Sequence, residues 1–421
     1  MNKVLKKNIF SYFVLNVCLI YFFTAVALYL GLSIDNDIAF VSPDSHTYYQ
    51  VGQWLYNGAP TEYLTFRPFL FPFILFSSVT FLGIKGYFVF QFIFWIGSVN
   101  LLFASLIRLF NNTLISITGV VLLASNLTFL MLTFHGLSEV FVMFLTSLFL
   151  FLLTLWIESK RKDKVMLLLL FVLILLSVTK PVFFYFALLA SLIIIPFLLY
   201  KYKYHKSAGK IFIMFLIFVP LFFQIGIMKV NFNTFSISTI GSETFRYYLF
   251  RRCYAIENNL SKEAAMEEVR KMPDSDIRPY ILNHKNSFIK AYFTNLEENL
   301  KAYPLPLLEF IRDKNTGTIV YGGKAGDFMY KLNSIYFYLH IVFFFILFFK
   351  IIRIFYKKEF NNWNICLLVL SFMLYSLLLS SAISCDEGDR LVLPALPIWI
   401  VLYLMVFSPG QQIISLKIFT K

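Results

Sequence analysis

Charged residues are scarce in this sequence. Only 14% of the 421 residues are Asp, Glu, Lys or Arg, whereas 59% are hydrophobic and the mean hydropathy is +0.73. A typical soluble domain has ~25% charged residues. The shortage excludes a water-soluble globular protein, a disordered chain and a coiled coil. Apolar runs long enough to cross a bilayer recur along the chain, so the sequence predicts an all-α polytopic membrane protein.

Cysteine is equally sparse, with four residues in the chain. Cys18 and Cys366 fall inside apolar runs and are interpreted as small core residues. Cys253 and Cys385 fall in polar segments, and a disulfide between them stays open because sequence alone cannot show one. We detect no low-complexity tract and no internal repeat, and we expect no separate soluble domain at either end.

The basic residues lie in short clusters between the apolar runs, so the net charge of +14 does not indicate nucleic-acid binding. Short cytoplasmic loops carry such an excess of Lys and Arg. We therefore place both termini in the cytoplasm and predict about ten crossings, the first an uncleaved signal anchor. The runs are Ile9–Ser33, Gly86–Ile107, Leu114–Phe134, Leu137–Ile157, Val165–Val178, Phe183–Tyr200, Ile211–Met228, Ile335–Phe349, Trp363–Ser384 and Leu391–Phe407.

One apolar run decides this topology. Phe69–Gly83 has 15 residues, fewer than the ~20 that a spanning helix needs. If it crossed, the basic clusters of all later loops would move outside. We therefore predict that it forms an interfacial or re-entrant helix at the outer face.

This topology divides the chain into three parts. Residues 1–228 form a transmembrane core with a first external loop (34–84), residues 229–333 form a large external loop with amphipathic helices, and residues 334–421 form the C-terminal transmembrane helices. In the large loop we expect Ser261 to cap a short helix that carries a Glu267–Lys271 pair, and Pro279 to open a longer helix.

Ionisable residues at the predicted outer boundary supply the candidate chemistry. Asp44 follows Pro43 at a predicted helix start, where the helix dipole favours the ionised carboxylate. Such a carboxylate can accept a proton from an acceptor hydroxyl or amine; the alternative is that it only caps the helix. His46 and Tyr48 follow it, and we interpret them as neighbours of the same site.

Further ionisable residues occur at other outer turns. They are Arg67 in Phe66-Arg67-Pro68, Glu139 in His135-Gly136-Leu137-Ser138-Glu139, Lys180 in Thr179-Lys180-Pro181, and Arg390 in Arg390-Leu391-Val392-Leu393-Pro394-Ala395-Leu396-Pro397. Ionisable residues at a membrane boundary are costly unless they face a cavity. For Lys180 the alternative is that the side chain reaches out to lipid headgroups. A metal site formed by Asp44, His46 and Glu139 is conceivable, but no ligand spacing demands it.

Together these motifs resemble the C-type glycosyltransferase superfamily of integral membrane enzymes. The similarity is to bacterial members of the protein-mannosyltransferase and aminoarabinose-transferase type, and it covers about residues 1–200 and 385–408. The shared features are the first-loop acid, the basic-Pro helix start, a helix that ends in Arg108-Leu109-Phe110, the outer-turn acid, the Thr-Lys-Pro turn and the late Arg-x-x-Leu-Pro start. The sequence departs from the pattern at Pro68-Phe69, where many relatives have two prolines.

The resemblance implies a function. A polyprenyl-phosphate-linked sugar donor would react with an acceptor glycan, lipid or protein at the external face of a bacterial cytoplasmic membrane. Asp44 would be the catalytic base, and Arg67, Lys180 and Arg390 would bind the donor phosphate. Glu139, His46 and Tyr48 would contact substrate. No cofactor is required, although some relatives use a divalent metal.

Two other readings remain open. An O-antigen-type polymerase or ligase also has many helices and a large external loop, and Arg312 followed after ten residues by Gly323 matches a pattern associated with such ligases. That enzyme would not need Asp44. A lipid or polysaccharide transporter or flippase would be expected to show repeats and charged residues near mid-membrane, neither of which we detect.

Overall fold

The computed structural model describes residues 2–29, 42–158, 162–204, 208–301 and 393–407, with a few single residues between these ranges. Every regular element in them is helical. The helices are α1 (Asn2–Tyr29), α2 (Pro43–Asn57), α3 (Leu70–Phe110), α4 (Thr113–Ala124), α5 (Leu127–Met131), α6 (Glu139–Glu158), α7 (Lys162–Ser177), α8 (Phe184–Tyr204), α9 (Ala208–Leu216), α10 (Val219–Phe232), α11 (Ile240–Thr244), α12 (Arg251–Asn258), α13 (Lys262–Lys271), α14 (Asp274–Asn283), α15 (Lys285–Lys301) and α16 (Leu396–Phe407). Short 3-10 turns cover Glu62–Thr65, Leu132–Phe134, Pro181–Phe183 and Leu393–Ala395, and a π-helical turn covers Phe245–Phe250.

Four of these helices are long and apolar enough to cross a membrane. They are α1, α3, α6 and α8, and two bent helix pairs raise the number to six if each pair counts as one span. The chain is therefore compatible with a multi-spanning membrane protein. The predicted spans Ile335–Phe349 and Trp363–Ser384 fall almost entirely outside the described residues.

Three breaks interrupt the apolar runs, and each has a local cause. Gly83 has φ +70°, which only glycine adopts without strain, and it kinks α3 where Phe69–Gly83 was predicted to end. The predicted span Leu114–Phe134 is not straight, because the Asn126 side chain accepts from Phe129 N (2.8 Å) and starts a new helix at 60°. Ile211–Met228 is likewise bent, by 45°, beside Pro220 in the first turn of α10.

The main core lies where α3 packs along α6 and against α4, and α16 packs against α4 and α6. Trp95 is fully buried there, with the rings of Phe23 and Phe129 at 5.1 and 6.1 Å. Ser98 and Ser105 on α3 donate to backbone carbonyls one turn earlier, at 2.6 and 2.7 Å. Such local bonds satisfy hydroxyl groups that an apolar environment would otherwise penalise.

Helix α2 approaches α3 closely at Gly52. A Cβ placed on Gly52 would lie 2.3 Å from Phe76 Cβ and 2.6 Å from the Pro72 carbonyl oxygen. Only a glycine therefore fits at this contact. The contact fixes the first polar helix, which carries Asp44, against the membrane-type helix α3.

Helices α11–α15 form a polar unit, here called the cap. Its helix α13 starts as expected, with Ser261 Oγ accepting from Ala264 N (3.2 Å). The expected Glu267–Lys271 pair is wrong: Glu267 pairs with Arg270 (3.6 Å), and Lys271 pairs with Glu268 (3.1 Å).

The prediction that Pro279 opens a long helix is also wrong. Pro279 lies inside α14, which starts at Asp274 and is followed by a break at His284 and a new helix, α15. Asp274 and Asp276 in the first turn favour the earlier start through the helix dipole. Cys253 is buried in the cap as a free thiol, and Cys385, the partner considered above, lies outside the described residues.

Candidate functional site

A cavity of about 490 Å³ lies where the starts of α2, α3, α6 and α8 meet the cap. Four of the ionisable residues singled out in the sequence line it: Asp44, Arg67, Glu139 and Lys180. The other lining residues are Tyr48, Phe66, Pro68, Pro181, Val182, Phe184, Tyr185, Ile225, Phe235, Ser236, Ile237, Ser238, Ile240, Gly241, Thr244, Tyr248, Ile383 and Ser384. The polar floor thus faces walls that are largely apolar and aromatic.

The first charged pair joins α2 to the segment before α3. Asp44 lies in the first turn of α2, and its carboxylate accepts from the Arg67 guanidinium. Arg67 Nε also donates to Thr47 Oγ1 at 2.9 Å. The Asp44 side chain is 27% exposed. The carboxylate is therefore oriented by a cation but still open to the cavity.

Tyr48 holds this arrangement in place. Its ring lies under the Arg67 guanidinium, 4.6 Å from the ring centroid, and its hydroxyl is 3.2 Å from Ser138 Oγ. Burial raises the pKa of Tyr48; Arg67 acts in the opposite direction, whereas Glu139 and Asp44 add to the rise. Tyr48 is therefore a neutral phenol that positions Arg67 and connects α2 to the start of α6.

The second charged pair joins α6 to the turn before α8. Lys180 Nζ lies 3.3 Å from Glu139 Oε1. The Glu139 side chain is only 3% exposed, and that of Lys180 is 16% exposed. Glu139 begins α6, so the helix dipole also favours its ionised form. The Lys180 side chain does not reach away from the protein but turns inward to a carboxylate.

The turn before Glu139 is fixed by hydrogen bonds from two directions. Gly136 N donates to Ala39 O (2.8 Å), and Tyr87 Oη on α3 donates to His135 O (2.9 Å). Gln91 on α3 donates to Leu137 O at 3.2 Å. These bonds hold the start of α6 against α3, so Glu139 has little freedom to move.

One wall of the cavity comes from the segment between α10 and the cap, and sequence reasoning missed it. Ser238 Oγ donates to Phe66 O (2.8 Å), and Thr239 N donates to Thr65 O (2.8 Å). This segment, residues 236–239, is called the strap below. It fastens the cap entrance to the Arg67 segment.

Gln224 on α10 secures the same junction from below. It is fully buried, its Oε1 accepts from Phe69 N (2.9 Å), and its Nε2 donates to Ile237 O (2.7 Å). Phe69 N lies at the start of α3, where backbone amides have no intrahelical partner, and Gln224 supplies the partner instead. A lone Gln within an apolar helix was the sequence signal that could have pointed to this site.

Two of the helices that line the cavity, α8 and α10, also carry apolar side chains on the protein surface. Tyr185 from α8 and Ile225 from α10 line it. Their helices continue with apolar side chains that are exposed on the protein surface, namely Leu188, Leu189, Leu192 and Ile193 on α8 and Val219, Phe222 and Phe223 on α10. Near the end of α8, farther along the chain from the cavity, Leu198 is buried against Met214 of α9 in a separate hydrophobic cluster. The same two helices therefore carry both the cavity lining and exposed apolar surface.

Other predicted site residues are placed differently. His46 is exposed, and its ring lies beside Phe40 at 5.7 Å rather than among the residues that line the cavity. The prediction that His46 shares the cavity is therefore not supported by its position, because it points to another side of α2. Arg390, Arg312, Gly323 and Cys385 lie outside the described residues.

The described part of the chain contains no cluster of three His, Cys, Asp or Glu side chains with metal-binding geometry. Asp44, His46 and Glu139 in particular do not come together. No family model, no curated protein and no solved structure matches this chain.

Proposed function

We propose that this protein is a glycosyltransferase that moves a sugar from a polyprenyl-phosphate-linked donor to an acceptor at the external face of the membrane. The observation that carries the proposal is one cavity that combines two carboxylate–cation pairs with a lining that is otherwise largely apolar and aromatic. A donor with a charged phosphate and a hydrocarbon tail has the same two-part chemistry.

The proposed reaction is a single inverting displacement. The acceptor oxygen or nitrogen attacks the anomeric carbon, the bond from that carbon to the phosphate oxygen breaks, and the polyprenyl phosphate leaves with the electron pair. Asp44 accepts the proton of the acceptor, a role that is commonly worth 10²–10⁴ in rate. A carboxylate that is held by Arg67 but partly exposed is suited to orient the acceptor.

The cations would stabilise the leaving phosphate. Arg67 and Lys180 each already bind a carboxylate, so a phosphate must share them with Asp44 and Glu139. Arg67 can do this because a guanidinium has five donors in a planar fork. By the resemblance described above, Arg390 would be the third cation.

The test uses the full chain in phospholipid vesicles with a panel of polyprenyl-phosphate sugars, and it measures release of polyprenyl phosphate and transfer of sugar. Asp44→Asn should lower kcat by at least about 10². Glu62→Gln is the matched control, because Glu62 is an exposed carboxylate of the same external segment and does not line the cavity. An Asp44→Asn variant as active as Glu62→Gln would overturn the proposal.

A further inference from the structure

Most of the exposed large apolar side chains of the cap lie within one short stretch of the sequence, residues 282–293. Among the described cap residues, large hydrophobic side chains that are exposed occur at Leu260, Leu282, Ile289 and Phe293. The last three lie at the end of α14 and along α15, with 55%, 53% and 59% of their surface exposed. Single exposed hydrophobic residues need no explanation, but a concentrated set does.

Helix α15 contacts both the main core and the cavity lining. Leu296 near its end packs against the main core of the spans. Asn299 Nδ2 donates to the backbone oxygen of Ser384 (2.8 Å), a residue that lines the cavity. On its inner face, Ala291 is buried in the cap. The end of α15 therefore lies beside the cavity, and the opposite side of the helix is exposed.

Two exposed lysines lie on the same helix as Ile289 and Phe293. Lys285 and Lys290 are both exposed and flank Ile289 along the same helix. A helix that presents aromatic and aliphatic residues with lysines at their border is suited to the boundary between headgroups and acyl chains. The lysines would add attraction to anionic lipids.

We infer that the surface formed by Leu282, Ile289 and Phe293, called the docking face, inserts into the adjacent leaflet of the bilayer and binds anionic lipid headgroups through Lys285 and Lys290. This inference goes beyond the proposed glycosyl transfer and does not depend on it. It explains why a polar cap exposes three large apolar side chains next to the membrane-type helices.

The test measures where the docking face lies. The four native cysteines are replaced by alanine, and single cysteines are introduced as Ile289→Cys, Phe293→Cys and, as the control, Glu267→Cys at an exposed polar position of α13. Each variant is labelled with a fluorophore and reconstituted in vesicles of phosphatidylcholine with phosphatidylglycerol. We expect acyl-chain nitroxides to quench the labels at 289 and 293, and aqueous iodide to quench the label at 267.

Two results would overturn the inference. Quenching of positions 289 and 293 by iodide places the docking face in water. Protection from both quenchers shows that protein covers it, either a second copy or another segment of the chain. If the cysteine-free background does not fold, an impermeant maleimide read by peptide mass spectrometry reports the same positions with the native cysteines present; equal labelling at 267 and 289 then refutes the inference.

The lysines provide an independent measurement. In vesicles with phosphatidylglycerol, Lys285→Gln and Lys290→Gln should each lower the ratio of inserted to water-exposed docking face about fivefold, as measured by nitroxide quenching of the label at position 289. Neither substitution should change this ratio in vesicles of phosphatidylcholine alone. An equal effect in both lipids would contradict the assignment of anionic headgroups as the ligand.

Discussion

Replacing Gly52 by alanine probes the contact that positions Asp44. The new Cβ would lie 2.3 Å from Phe76 Cβ and 2.6 Å from the Pro72 carbonyl oxygen. Ordinary carbon–carbon contact is about 3.5–4.0 Å, so α2 must move away from α3 by about 1 Å. Neither neighbouring atom can rotate away, because one is a Cβ and the other belongs to the backbone. The strain therefore reaches the backbone of α2.

The cost can be worked out from this geometry. Overpacking of a well-packed contact costs about 1–3 kcal/mol, and a clash with fixed atoms belongs at the upper end. The entropy of unfolding grows with chain length, so each kcal/mol should shift Tm by about 1–2 °C in a chain of this size. We expect Gly52→Ala to lower Tm by about 3–6 °C. Because α2 carries Asp44, a displacement of about 1 Å should also lower transfer activity by about 10².

Two other glycines provide matched controls. At Gly119 the nearest atom to a new Cβ is Leu106 Cδ1 at 2.3 Å, a terminal methyl group that can rotate, whereas at Gly226 on α10 no atom lies within 4 Å. Thermal unfolding in detergent, followed by tryptophan fluorescence, should rank the loss of stability as Gly52→Ala, then Gly119→Ala, then Gly226→Ala. If Gly52→Ala unfolds within 1 °C of Gly226→Ala, the argument from close packing is wrong.

Three further predictions concern other contacts. Tyr48→Phe removes the hydrogen bond to Ser138 and should cost about 1 kcal/mol of stability with little change in activity. Tyr48→Leu also removes the ring beneath the Arg67 guanidinium and should lower kcat/KM. Equal activities in the two variants would contradict a positioning role for Tyr48. Gln224→Leu deprives the Phe69 amide and the Ile237 carbonyl of their partner and should cost about 2–4 kcal/mol in thermal unfolding. Gln224→Glu would bury a carboxylate against the Ile237 carbonyl oxygen and should cost no less; a Gln224→Leu variant as stable as the unmodified protein would contradict this role. A hydrogen bond from the Ser287 hydroxyl lowers the pKa of Glu257 below its ordinary value of 4.5. Because the pKa is lower in the folded state, Glu257 should stabilise the cap above pH 4.5 and lose this effect as the pH falls further. A Glu257→Gln variant with unchanged acid sensitivity in circular dichroism would refute this.

Local chemistry in the sequence predicted several helix starts but not their lengths. Pro43 and Ser261 are found where helices begin, because N-terminal positions need only nearby groups. Pro279 was misread because proline also fits within a helix when the turn before it is already started by acidic residues. The bend at Asn126 was missed because hydropathy alone registers an unbroken apolar run.

For the site, the sequence likewise predicted which residues take part but not which of them contact each other. The motifs indicated that Asp44, Arg67, Glu139 and Lys180 belong near the outer face, and the structure brings these four around one cavity. Which acid pairs with which base could not be read from spacing, since Asp44 and Arg67 are 23 positions apart and Glu139 and Lys180 are 41 apart. The strap and Gln224 were missed because their contacts are mostly with backbone atoms, which leave little trace in side-chain patterns.

The strap has a consequence for any exchange of the cap between related chains. Thr65 and Phe66 receive hydrogen bonds from Thr239 and Ser238, so the Arg67 segment depends for its shape on residues more than 170 positions later in the sequence. A graft that joins a foreign cap directly after α10 would discard those donors and loosen the guanidinium. A junction placed after Thr239 would keep them, and the grafted module could then change without disturbing the charged floor beneath it.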